Sequence, residues 1–132
     1  MRRIVILALA LSLAAPAQAF NLADRMTVAP LGGSDFAVGF SHRAEETDYW
    51  CAAGAYVRQR LGMDSRTRVF RLSPEPRKRN QGISFTLDKA RSTGSTGITT
   101  FGGLQDGGMS AGSAFRYCRD FEIDRFGIGF AD

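Results

Sequence analysis

Cys51 carries the sharpest chemical signal in the chain: it stands in Tyr49-Trp50-Cys51-Ala52-Ala53-Gly54, at the start of a helical pattern. The N-terminal dipole of a helix lowers the pKa of a thiol in its first turn, a placement that several cysteine hydrolases use for a nucleophile. Such an enzyme also needs a base. The single histidine, His42, lies upstream in a polar connection, and Asp48 would have to orient it. Cys118, the only other cysteine, offers a simpler partner, because two cysteines in an exported chain are expected to pair. The structural reading is therefore adopted: a Cys51–Cys118 disulfide and no catalytic residue. A thiol enzyme using Cys51 with His42 is the alternative.

Other chemistry finds little support. One His and two distant Cys cannot supply the four ligands of a structural zinc site, so no metal site is assigned. Asp120, Glu122 and Asp124 alternate but lack the glycine and spaced oxygens of a calcium loop, and read as a solvated acidic face. The glycines from Gly94 to Gly112 show neither GxxxxGK[ST] nor GxGxxG, and with Ser and His both present no GxSxG elbow is read. No cofactor is expected.

The arginines are the remaining lead. From Arg58 to Arg79 eight basic residues face only Asp64 and Glu75. Arg66 and Arg68 on one strand, with Arg77, Lys78 and Arg79 in the loop after it, are expected to form one patch able to hold carboxylate or phosphate. The partner would be an anionic envelope component or an acidic protein. A charged hairpin that merely keeps an edge strand solvated is the plainer account.

The chain has 132 residues. Arg2-Arg3, the apolar run Ile4–Ala15 and Ala17-Gln18-Ala19 form a secretory leader with cleavage expected after Ala19. A single mature domain, 20–132, is expected to be periplasmic or secreted, without a membrane span. Without Arg2 and Arg3, the 17 basic residues fall to 15 against 13 acidic, too small an excess to suggest nucleic acid as a partner.

The elements that must position these residues are partly legible. Met26–Ala29 reads as a short edge strand and Phe36–Phe40 as an alternating one. Asp48–Leu61 reads as the main helix, capped by Thr47 or Asp48, with Trp50, Ala53, Val57 and Leu61 on one stripe and Gly62 as its stop. Ala52–Ala55 suggest close approach to a sheet. Arg66–Leu72 and Ile83–Leu87 read as strands joined by a solvated hairpin loop, Ser73–Gly82. Residues 92–113 read as a flexible Gly/Ser/Thr-rich loop with a short strand near Ile98–Phe101. For 114–123 a helix is preferred to a strand because it buries Cys118 with Ala114, Tyr117 and Phe121. Phe126–Phe130 reads as a final strand. The sum is an α+β domain: an antiparallel sheet of about four strands, one main helix and a short C-terminal helix, tied by one disulfide.

The run Tyr49–Gly54, with Leu61-Gly62 and Gly82-Ile83-Ser84-Phe85-Thr86-Leu87, resembles small exported proteins of proteobacteria that have no assigned function. The resemblance implies a secreted single domain and carries over no catalytic residue. The function expected is a non-enzymatic binding or accessory module of the envelope, with a purely structural envelope protein as a further possibility.

Overall fold

The computed structural model describes residues 19–22, 26–99 and 103–118. Six strands form one antiparallel sheet: β1 (Phe20–Leu22), β2 (Met26–Gly32), β3 (Asp35–Val38), β4 (Arg68–Arg71), β5 (Ile83–Thr86) and β6 (Gly108–Ser110). Their order is β1-β2-β3-β5-β4-β6. Helices α1 (Glu46–Ala55) and α2 (Ala111–Arg116) complete an α+β fold, and Cys51 and Cys118 are bonded. The expected class and disulfide stand, with six strands rather than four.

Alternation builds the inner face of the sheet. Met26 and Val28, Phe36 and Val38, and Ile83 and Phe85 are all buried at every second position. Their rings lock onto the helix: Trp50 meets Phe85 edge-on at 4.8 Å, and Phe36 stacks on Phe85 at 5.8 Å. β4 breaks the alternation because both of its faces are covered. Val69 and Arg71 face α1, while Phe70 is buried on the other face, close against the backbone of Gly108. β2 is not an edge, since β1 pairs along it.

The main helix begins earlier than expected. Glu46 is its first residue, and the Asp48 carboxylate accepts a hydrogen bond from the Glu45 N–H at 2.7 Å, which makes Asp48 the third residue of the first turn rather than the cap. The far end departs more. Tyr56–Arg60 form a π-helical turn in which the Leu61 N–H donates to the Tyr56 carbonyl at 3.0 Å. The wider turn rotates the residues beyond it, so Leu61 leaves the stripe and is 42 % exposed, whereas Trp50, Ala53 and Val57 are wholly buried.

The small residues of α1 serve two contacts: Ala52 and Ala53 are buried in the core shared with the sheet, and Gly54 meets α2. A Cβ on Gly54 would fall 2.7 Å from the Phe115 nitrogen and 2.8 Å from the Ala111 carbonyl oxygen, so the backbones of α1 and α2 touch there. That contact lies one turn beyond Cys51 and places Cys118 within bonding reach.

The Gly/Ser/Thr-rich stretch is more organised than a flexible loop. It contains β6 and the start of α2, and Thr93 and Gly107 extend the sheet by backbone hydrogen bonds to Arg71, both at 3.0 Å. Ile98 and Thr99 belong to no strand. The leader as far as residue 18, residues 100–102, the acidic Asp120, Glu122 and Asp124, and the expected strand Phe126–Phe130 lie outside the described residues.

Candidate functional site

The fold divides the basic segment into arginines that are spent on structure and arginines that are not. Arg71 is fully buried and bonds Glu46 at 2.7 Å. Arg77 turns inward, 3.4 Å from the same carboxylate and 4.9 Å from the centre of the Tyr49 ring. Arg68 pairs with Asp106 at 2.6 Å and lies over the Phe70 ring. Lys78 and Arg79 are exposed in the connection between β4 and β5.

The expected single patch of Arg66, Arg68, Arg77, Lys78 and Arg79 therefore does not assemble. Arg66 precedes β4 and the loop residues come after it, with a strand of about 3.3 Å per residue between them.

Arg66 joins different neighbours. The turn that carries it is held by Asp64, whose carboxylate accepts from the Arg66 N–H at 2.7 Å. The Gly112 N–H donates to the Ser65 carbonyl at 2.8 Å, which draws the start of α2 against this turn. The π-helical turn delivers Arg58 from one side, and the last turn of α2 delivers Arg116 from the other. Together Arg58, Arg66 and Arg116 line an open groove of about 620 Å³, with serines between them and Cys118 in its wall. Among the described residues, none of the three has an ion pair. The Arg58 guanidinium lies 5.1 Å from the centre of the Phe115 ring, a stacking that orients the group and leaves its N–H edge free. Three unpaired guanidinia facing one groove can hold a phosphate or a carboxylate through several charge-assisted hydrogen bonds.

Asp106 pairs with Arg68 and does not line the groove. Desolvation pushes its carboxyl up, but the Arg68 hydrogen bond and charge, with the Gly108 N–H, outweigh this and hold it below the ordinary 3.8. Asp35 is also lowered, first by the Thr86 hydroxyl, then, against desolvation, by Arg91. A carboxyl whose folded pKa is depressed contributes its full stabilisation above the unfolded pKa and loses it as pH falls through the folded one. Thermal stability is therefore expected to be flat with respect to these groups from pH 7 to about pH 5 and to fall below about pH 4. Asp106→Asn should flatten part of that decline, and melting curves across the range check it.

Two features of the groove are not visible in the sequence. Arg58 reads there as a cation that merely suits a helix end, and Arg116 has no assigned role. The usable signal is the disulfide: Arg58 lies about two helical turns after Cys51, and Arg116 two residues before Cys118. Gly108-Met109-Ser110-Ala111-Gly112 also matches GxSxG and runs from β6 into α2, a strand-to-helix serine that the sequence reading misses. It is no nucleophile elbow. Ser110 has ordinary extended angles (φ −65°, ψ 150°), and its hydroxyl caps α2 by accepting from the Ser113 N–H at 3.2 Å. His42 packs edge-on against Phe40 in the connection that leads into the N-terminus of α1, whereas Ser110 lies where the C-terminal half of α1 meets α2.

The thiol alternative loses its nucleophile, because Cys51 is bonded and fully buried. Among the described residues no group of three His, Cys, Asp or Glu side chains could hold a metal ion, and no helix is long and apolar enough to cross a membrane. No protein-family model, curated protein or solved structure matches the chain.

Proposed function

We propose that this chain is an exported, disulfide-stabilised binding domain, non-enzymatic, that engages an anionic component of the cell envelope through Arg58, Arg66 and Arg116. The observation that carries the reading is the convergence of three exposed arginines, from three separate elements, on one groove without a described carboxylate partner. The leader-like N-terminus and the disulfide support an oxidising destination.

Charge reversal tests this against a matched control. The variant Arg58→Glu/Arg66→Glu/Arg116→Glu and the variant Lys78→Glu/Arg79→Glu/Lys89→Glu undergo the same change in net charge at exposed positions. On phosphocellulose at low ionic strength the first is expected to lose retention and the second to keep most of it. Equal loss in both would show that overall charge, not the groove, governs binding, and would overturn the reading.

A further inference from the structure

The π-helical turn that presents Arg58 also does something that the pattern of the sequence does not ask for. Leu61 belongs to the apolar stripe of the helix, yet the wider turn expels it to 42 % exposure. Met63, two residues on and 41 % exposed, lines a depression of about 430 Å³ that shares Arg58, Ser65 and Phe115 with the arginine groove. Two large apolar side chains, separated by Gly62, are thus exposed in a segment that also carries the exposed Arg58, Arg60 and Arg66 and one acid, Asp64, which lines the same depression as Met63. Apolar side chains that stand singly on a surface need no explanation, but two within three residues, in a segment with three exposed arginines against one acid, do.

An enclosed pocket with a buried guanidinium would select one small anion over all others. Here the groove is open and its arginines are exposed, and Leu61 and Met63 add a contact that a free anion could not use. Resting on the binding reading above, we infer that this rim docks on an anionic phospholipid surface. Leu61 and Met63 enter the headgroup region, while Arg58, Arg60, Arg66 and Arg116 meet the phosphates. Each basic residue at such a surface strengthens partitioning about fivefold, and the buried apolar groups add to it.

Co-sedimentation of the disulfide-intact mature chain with vesicles tests this. Phosphatidylcholine vesicles with phosphatidylglycerol should pull the protein down, and pure phosphatidylcholine should not. Arg58→Gln/Arg66→Gln is expected to weaken the partition roughly twentyfold, and Leu61→Ser/Met63→Ser at least fivefold. The second pair should retain phosphocellulose binding and an unchanged melting temperature. If the apolar pair binds phosphatidylglycerol vesicles as the wild type does, or if the wild type ignores vesicles yet stays on phosphocellulose, the lipid inference is wrong and a soluble phosphate or acidic partner takes its place. Sedimentation without vesicles would point to a second copy on this face and equally overturn it. If Arg58→Gln/Arg66→Gln leaves both vesicle and resin binding intact, the groove itself is not the binding surface.

Discussion

Arg71→Met is expected to destabilise the fold by about 1–3 kcal/mol, because the Ser73 carbonyl loses its guanidinium donor, while the partly exposed Glu46 keeps Arg77 beside it. Arg71 is the only charged residue in the described core, and its guanidinium joins three segments. Nη1 bonds Glu46 at the start of α1 at 2.7 Å and the Thr96 carbonyl at 3.4 Å, while Nε bonds the Ser73 carbonyl at 2.9 Å. Trp50 Nε1 donates to the same Thr96 carbonyl at 2.8 Å, so the central ring of the core and the central arginine hold one loop between them. Gly97 packs directly on the guanidinium, where a side chain would collide with it. The effect should be measurable by urea unfolding, with a double-mutant cycle to Glu46→Gln. Because Glu46 is half-exposed and is shared with Arg77, the cycle is expected to show positive coupling, with the double variant recovering part of the loss. Purely additive losses would mean that Arg71 acts through its carbonyl hydrogen bonds and packing and not through Glu46.

Reduction of Cys51–Cys118, or Cys51→Ala with Cys118→Ala, should cost about 4 kcal/mol in the loop-entropy account. The bond closes a separation of 67 residues, and it does so at the place where α1 and α2 lack the usual cushion of side chains. With the bond gone, α2 is held by the Gly54 contact, the buried Ala111 and Ala114 and the hydrogen bonds of its first residues to Thr67 and Ser65, which leaves the Cys118 end of this six-residue helix without an anchor. The groove is expected to be lost before the sheet: α2 carries Arg116, and Phe115 orients Arg58. Hydrogen exchange should therefore show residues 110–118 opening first on reduction, with β2, β3 and β5 protected. Simultaneous opening of all of these would contradict a sheet that stands without the disulfide.

The sequence makes the centre of this fold legible and leaves its edges obscure. Phe36 and Val38, and Ile83 and Phe85, alternate because one face of each strand meets α1, and period two survives wherever one face is solvated or loosely covered. It fails in β4, where Arg71 is covered by α1 and the loop of Thr96 and Gly97 while Phe70, on the other face, is buried against Gly108. An arginine on the inner face reads as the polar end of a strand until Glu46 is seen across from it. β6 leaves little trace, since Gly108-Met109-Ser110 is short and its glycine is required by the Phe70 ring rather than by a local turn. The second helix is legible through the expected apolar stripe, of which Ala114 is buried, but it begins at Ala111, earlier than expected, and Cys118 is only partly buried, in the wall of the groove. The groove is legible only through the expected Cys51–Cys118 pairing, because residues 58, 65–66 and 110–118 are distant in the chain and meet where the disulfide and Gly54 bring α2 onto α1. A linear count of arginines points instead to Arg77, whose charge the fold turns inward.

The most direct test of the groove as an anion-binding surface is an amide chemical-shift map of the oxidised mature chain titrated with inorganic pyrophosphate, a probe common to phosphate-bearing partners. The account predicts that the saturating shifts cluster at 58–66 and 110–118 and vanish in Arg58→Gln/Arg66→Gln. Shifts centred on 73–82, or spread evenly over every exposed arginine, would contradict it.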